Sequence, residues 1–482
     1  MNGNLPDVYE TILLHSASYQ GKPELVGKLL NRASKLNVKN HWDETVLHLV
    51  SRGRQDSENG VRVAKLLLEH GAEVNTRNTD DDTPLHFASY FGKPGIVRLL
   101  LGHGADANAE TEEGVTLLHQ VSYGQYESHE DGERVAELLL EHGAEVDKRS
   151  KKNRTALHYA SLHGKLEVVR LLLDHGAEVS AETDIGEKPL HRVSYSKYRS
   201  PEDGIRVAQL LLERGADVNA RRDDHWTPLH AASYFGNVEI VRLLLDHGAD
   251  LEANAEGEKP LHRVSYGKYR SQEGGVRVAQ LLLERGADVN TRRNDHWTPL
   301  HAASYFGIVE IVRLLLDHGA DPEANAEGDM GEKPLHQVSY GKYRPEEDGV
   351  RVAQMLLEHG VDVNTGRNDC CTPLHIASYL GKFGIVQILI DHSAEVDAVD
   401  DFGKTPLHDV SRGIYESQED GIRIAQLLLD HGADVNAKSR PGDTPMTLAF
   451  CNEWPKLAEL FLEHAANVNV QRPSANSNQV SH

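Results

Sequence analysis

Residues 82–108, DTPLHFASYFGKPGIVRLLLGHGADAN, decide the fold. Thr83-Pro84 opens a helix: threonine is a favoured N-cap, and proline at the first helical position gives up only an N–H that has no intrahelical partner. Leu85, Ala88 and Ser89 mark a packing face whose small residues let a neighbour approach. Gly92 ends this helix. Ile96, Val97, Leu99, Leu100 and Leu101 predict a second, more apolar helix, and Gly104 supplies a left-handed residue at its C-terminal end. GADAN then leads through an extended finger toward the next helix start.

The unit recurs along the whole chain. TPLH-like tetrapeptides end at His15, His48, His86, His119, His158, His191, His230, His262, His301, His336, His375 and His408, and a thirteenth copy ends at Thr447. The steps lie between 32 and 39 residues and alternate near 33 and 39. Such a period marks stacked repeats, each burying its apolar face against its neighbours. No composition break interrupts the pattern, so one elongated array replaces the three or so domains expected for this length.

TPLH, the small-residue first helix and LLLxHGADVN resemble the ankyrin repeat, and Thr227 to Asp250 and Thr298 to Asp321 match it well. The resemblance implies an all-α repeat solenoid of about thirteen repeats. Each repeat would pair two antiparallel helices with a β-hairpin finger, and fingers and first helices would line a concave face. The expected organisation is an N-terminal extension at 1–10, the array at 11–469, and a disordered tail at 470–482. The end repeats depart from the pattern as caps should: Ile12-Leu13-Leu14-His15 with Ala33 at the first, Thr444-Pro445-Met446-Thr447 with Ala465 at the last.

Every second repeat carries an insertion of about six residues between its helices. The copies are GQYESHEDGE (124–133), SKYRSPEDGI (196–205), GKYRSQEGGV (267–276), GKYRPEEDGV (341–350) and GIYESQEDGI (413–422), with a shorter GRQDSENGV at 53–61. Ser128, Ser200, Ser271 and Ser417 read as N-caps followed by acids in the first turn, and Pro345 replaces the serine in one copy. The insertion therefore predicts a short loop and one extra turn on the second helix. Residues 187–257 and 258–328 align without gaps and differ at eight of 71 positions, so the copied unit is a pair of repeats. Alternating insertions of this kind are similar to those of fungal multi-ankyrin proteins.

A formal charge of −23 argues against nucleic acid or anionic membrane as partner. No apolar run approaches the ~20 residues that cross a bilayer. Three cysteines, Cys370, Cys371 and Cys451, make no disulfide framework and fit a reducing compartment. The expectation is an intracellular protein, cytoplasmic before nuclear. Of 28 histidines, twelve belong to the tetrapeptide and ten to the end of the second helix (His70, His103, His142, His175, His247, His318, His359, His392, His431, His464). Spaced by a repeat, they form a ladder and not the converging cage that zinc requires. No phosphate-binding loop, HExxH or nucleophile-elbow motif occurs. No enzyme, metal or cofactor is expected.

The partner expected is a protein or peptide, and aromatic residues are its candidate anchors. Tyrosine stands four residues after the tetrapeptide histidine at Tyr19, Tyr90, Tyr123, Tyr195, Tyr234, Tyr266, Tyr305, Tyr340 and Tyr379, with Phe91, Phe235 and Phe306 following. Trp226 and Trp297 precede Thr-Pro in their fingers, and Trp42 sits in a looser repeat. The candidate contact set is Trp42, Tyr90, Phe91, Trp226, Tyr234, Phe235, Trp297, Tyr305, Phe306 and Tyr379. A second reading packs the tyrosines under the inserted loops, whose Tyr126, Tyr198, Tyr269, Tyr343 and Tyr415 recur in step. Arg221-Arg222, Arg292-Arg293 and the insertion cations Lys197, Arg199, Lys268, Arg270, Lys342 and Arg344 are a possible basic face for an acidic peptide, or simply solvated charge. Two rival roles stay open: a recognition array working with an effector in trans, and a substrate of asparaginyl hydroxylation, since Asn75, Asn219, Asn290 and Asn436 resemble finger positions modified in ankyrin proteins.

Overall fold

The computed structural model describes residues 5–31, 36–53, 58–126, 128–195, 201–266, 271–326, 330–341, 343, 345–415 and 417–471. These hold thirteen pairs of helices, grouped in two compact units: residues 1–232 with 239–250, and 233–238 with 251–482. In the first unit the first helices Val46–Arg52, Pro84–Tyr90, Leu117–Tyr123, Ala156–His163 and Pro189–Ser194 stack in chain order. Their second helices, from Glu58–Glu69 to Pro201–Glu213, make a second row. The second unit repeats the arrangement from Pro260–Val264 to Pro445–Cys451, with second helices from Gln272–Glu284 to Pro455–Gln471. The fold is an all-helical repeat solenoid.

Leu85, Ala88 and Ser89 are buried as their spacing requires, and so are Ile96, Val97, Leu100 and Leu101. The tetrapeptide histidine explains why the repeats stay in step. The Thr83 backbone N–H donates to His86 Nδ1 at 3.0 Å, and the Thr83 hydroxyl lies 2.9 Å from the same nitrogen. An Nδ1 that accepts puts the ring proton on Nε2, which elsewhere donates to a carbonyl of the following finger: His48 to Asp82, His119 to Arg154, His301 to Glu332 and His408 to Asp443, at 2.8–3.2 Å. The bond pattern requires a neutral ring. Burial supplies it, lowering His48, His86, His158, His191, His262, His301 and His336 to about 4. The second histidine set closes the other helix: Nδ1 of His103, His142 and His318 each lies 2.8 Å from the carbonyl four residues back.

The inserted repeats have second helices of 13 residues where their neighbours have nine. The extra turn begins where the sequence placed it. The Ser128, Ser271 and Ser417 hydroxyls accept the N–H of Glu130, Gly274 and Glu419 at 3.1 Å. Pro345 caps without a side-chain bond, and Ser200 lies outside the described residues.

The finger is simpler than a β-hairpin. Among the described residues it contains no strand, only isolated bridges at Glu110–Thr116, Ala255–Glu258 and Ala326–Glu332. Its tip is a left-handed residue two before the N-cap, and the type alternates. From the third repeat to the twelfth, inserted repeats place glycine there (Gly114, Gly186, Gly257, Gly331, Gly403) and the others place Asp81, Asn153, His225, His296 and Cys370 at φ between 50° and 64°; the second and thirteenth repeats break the rule with Asp43 and Gly442. Space explains the glycines: a Cβ on Gly186, Gly257 or Gly331 would come within 2.6 Å of the side chain of Asp223, Asn294 or Asn368 in the next finger.

At the ends, the first helix runs Leu5–Tyr19, so it starts within the expected 1–10 extension, and the last runs Pro455–Gln471. The tail from 472 and Ala33 lie outside the described residues. His15 Nδ1 bonds the Thr11 carbonyl at 2.8 Å in place of a cap, and Thr447 Oγ1 takes the histidine's role by accepting the Thr444 N–H at 2.8 Å.

Candidate functional site

The aromatic residues singled out by the sequence gather where first helices meet fingers, but their exposure is uneven. Trp42 is 51% exposed and Phe306 39%, while Tyr90, Phe91, Trp226, Tyr234, Phe235, Trp297, Tyr305 and Tyr379 are half-buried. Tyrosine and phenylalanine meet edge to face in three repeats: Tyr90–Phe91 at 4.9 Å, Tyr234–Phe235 and Tyr305–Phe306 at 5.1 Å. Trp297 stacks on His301 at 6.0 Å and touches Tyr305 at 6.1 Å, and Trp226 meets His230 at 6.4 Å. The carbonyls of Trp226 and Trp297 accept the Nε2 protons of His191 and His262 at 3.1 Å. Their rings are thus held by backbone that the solenoid itself fixes. Trp42 differs: it stands three residues before Thr45, at the finger tip, where its carbonyl accepts the Thr79 N–H.

That tip position carries a signal the sequence reading passed over. Ile185, Met330 and Phe402 occupy it in other inserted repeats and are 44–59% exposed, with carbonyls bonded to the next finger at Asp223, Asn368 and Arg440. Counting back three residues from each N-cap would have found them.

Neither reading of the tyrosines fits Tyr195, Tyr266 and Tyr340. Arg293 Nη1 donates to Tyr266 Oη and, at 2.9 Å, to Glu258; its other nitrogens hold Asp295, and Arg263 closes on Glu258 at 2.7 Å. Arg222 with Tyr195, Glu187, Asp224 and Arg192 repeats the arrangement, as does Arg367 with Tyr340, Glu332 and Asp369. Burial, then the neighbouring carboxylates, hold the phenols of Tyr195 and Tyr340 protonated far above neutral pH. For Tyr266 burial acts with the hydrogen bond from its hydroxyl to Glu258. Arg222 and Arg293 also lie 5.5 and 5.4 Å over the rings of Trp226 and Trp297. Two of the four described cations of the supposed basic face are therefore tied down, Arg222 and Arg293, while Arg221 and Arg292 remain exposed and the insertion cations lie outside the described residues.

The insertion tyrosines are anchors. Tyr126 and Tyr343 are 4% and 8% exposed, and the hydroxyls of Tyr126 and Tyr415 donate to the carbonyls of Val121 and Val410 at 3.1 and 2.9 Å. Glycines make the slots: a Cβ on Gly307, Gly341 or Gly349 would overlap the Tyr343 ring at 2.1–2.5 Å. The Lys165 ammonium covers the Tyr126 ring at 3.8 Å, and at the chain's last insertion Trp454 covers Tyr415 at 5.1 Å. Tyr198 and Tyr269 lie outside the described residues.

Three of the four finger asparagines are occupied. Asn75, Asn219 and Asn290 donate to the carbonyls of Gly104, Gly248 and Gly319 at 3.1–3.2 Å and accept the N–H of Asp106, Asp250 and Asp321 at 2.8–3.1 Å, clamping one repeat to the next. Burial pushes the Cys371 thiol up to about 12, Asp401 raises exposed Cys370, and all three cysteines are free. Among the described residues no group of His, Cys, Asp and Glu is arranged to hold a metal, and no helix is long and apolar enough to cross a membrane.

A family model for ankyrin repeats in three copies matches residues 14–111, 104–183, 199–291, 269–366 and 346–439. Neurogenic locus notch homolog protein 2 of Homo sapiens and of Mus musculus are each 40% identical over 110 residues, which is 23% of this chain and 4% of theirs. Neurogenic locus notch homolog protein 1 of Xenopus laevis is 36% identical over 112 residues, with the same shares. The chain matches about 4% of the length of these relatives, so the likeness is one of repeats.

Proposed function

The chain belongs to the ankyrin-repeat family, whose repeats serve protein–protein interaction, and from that premise we propose that a protein partner docks on the face made by its first helices and fingers. One observation carries the reading: the tyrosine–phenylalanine pairs and finger tryptophans recur in register, are part-exposed, and rest on backbone already fixed by histidine bonds. Rigid aromatic anchors add contact area at little conformational cost on binding. The chain acts as a scaffold or adaptor and not as a catalyst. Three free cysteines fit a reducing interior, so the cytoplasm is the compartment proposed.

The test compares proteins captured by the wild type and by a Trp226→Ala, Tyr234→Ala, Trp297→Ala, Tyr305→Ala variant matched for helicity and melting. Partners lost by the folded variant support the face. Unchanged capture removes it.

A recognition array with an effector in trans is favoured by one observation: the near-identical copies differ most in the insertion. Four of their eight differences fall at 196/267, 201/272, 203/274 and 205/276. Swapping 196–205 with 413–422 would change the partners captured on that reading and leave them unchanged on the first.

A further inference from the structure

The arginine–tyrosine–carboxylate cluster is built three times from the same positions. Its tyrosine stands four residues after the histidine of an inserted repeat (Tyr195, Tyr266, Tyr340), its glutamate just before that repeat's first helix (Glu187, Glu258, Glu332). The arginine comes from the next finger, five residues before the N-cap (Arg222, Arg293, Arg367). The fourth repeat keeps the tyrosine, Tyr123, but not its partners: Val115 stands at the glutamate position and Ser150 at the arginine position.

On the other side of Tyr123, toward the third repeat, lies a hollow of about 220 Å³ lined by Asp82, Phe87, Tyr90, Phe91, Gln120 and Tyr123. Tyr90 meets Phe91 at 4.9 Å and 90°, and Tyr123 at 5.7 Å and 62°, so ring faces and edges bound it on several sides. A carboxylate has entered from the third repeat: Asp82 lies where other fingers place Trp226 and Trp297, with the Gln120 amide 3.4 Å from Oδ1. Burial, then Asp80 and Asp81, push its carboxyl up to about 6. The nearest ring-bound guanidinium, Arg154, lies 5.9 Å over Tyr159, one ring beyond Tyr123.

We propose that this hollow, with its Asp82 carboxylate and aromatic walls, receives the guanidinium of an arginine side chain from the protein partner. A planar cation stacks on aromatic faces while its N–H fork meets a carboxylate, and elsewhere this chain uses that pairing with arginine and tyrosine. The volume suits one side-chain head and not a folded element. The inference rests on partner docking at the first-helix face and names what one part of that face recognises.

Saturation-transfer NMR on the full chain tests it with Nα-acetyl-arginine amide and its neutral isostere, Nα-acetyl-citrulline amide. The arginine probe should bind at least tenfold more tightly than citrulline. Asp82→Asn, which keeps shape and removes charge, should erase most of that difference, and Asp82→Trp, which places there the residue of the Trp226 and Trp297 fingers, should fill the hollow from within and abolish probe binding. Equal binding of both probes, or arginine binding untouched by Asp82→Asn in a variant with wild-type helicity, overturns the proposal. Partner capture that still depends on Trp297 and Tyr305 while the probe fails would sink this inference and leave the docking face standing.

Discussion

The junction of the eighth and ninth repeats and that of the third and fourth use their tyrosines in opposite ways. At Tyr266 the chain closes a phenol, two arginines and two carboxylates into one internal network. At Tyr123 it leaves a hollow with aromatic walls and a carboxylate but without the guanidinium. The backbone is the same in both, since each histidine makes its bond to the following finger. The same repeat scaffold therefore carries an ion network in one place and an open hollow in another, where Asp82 stands at the position that Trp297 fills in the ninth finger.

The largest expected effect falls on both regions alike and sets their common baseline. Seven tetrapeptide histidines are held near 4, below the ordinary 6.5 of the unfolded chain. Their contribution is complete above 6.5 and is lost as pH falls through 4, each withdrawing about 1.4 kcal/mol per pH unit across that window. Circular dichroism should show cooperative acid unfolding well before ordinary carboxylates protonate. Loss of helix only below pH 3 would refute the neutral-ring account.

Next in size is the cluster itself. Glu258→Ala leaves Arg263 and Arg293 without their shared carboxylate and should cost about 3 kcal/mol in denaturant unfolding. Hydrogen exchange should place the loss in the eighth and ninth repeats. The mirror change, Asp82→Asn, should raise stability by about 1 kcal/mol after allowance for solvent screening at a part-exposed site, because a carboxyl held near 6 is an unfavourable anion at neutral pH. Opposite signs at Glu258 and Asp82 are the sharpest statement of the contrast. Destabilisation by both would mean that the hollow is part of the core.

The smallest effect concerns the finger tip. Cys370 sits at φ 61° where the alternating fingers use glycine. Cys370→Gly should add roughly 0.5–1 kcal/mol, read as a small upward shift in melting, because a left-handed backbone strains any side chain with a Cβ.

Much of this was legible along the chain because it is local. Thr83-Pro84, the TPLH histidines, the serines at 128, 271 and 417 and the extra turn they start are each decided within a few residues. The anchoring of the insertion was half visible: the tyrosines stood out, but the glycines that grip Tyr343 come from two repeats, Gly307 on one side and Gly341 and Gly349 on the other. The cluster was not legible as a unit, since its glutamate, tyrosine and arginine lie 8 and 27 residues apart and meet only when repeats stack. Arg222 and Arg293 therefore read as surface charge. The finger hairpin was an expectation inherited from the resemblance, and turns closed by single bridges replace it.

The alternation of the finger tips has a consequence for how the chain lengthens. A glycine tip is required where the next finger presses an Asp or Asn side chain against it, as Gly186, Gly257 and Gly331 are pressed. Odd and even repeats are thus distinct parts with a sense of order, like the two halves of a hook and eye. Losing or gaining one repeat would set a Cβ-bearing tip against a neighbour shaped for glycine, whereas moving two preserves every junction. Parity is written into the fingers from the third repeat to the twelfth.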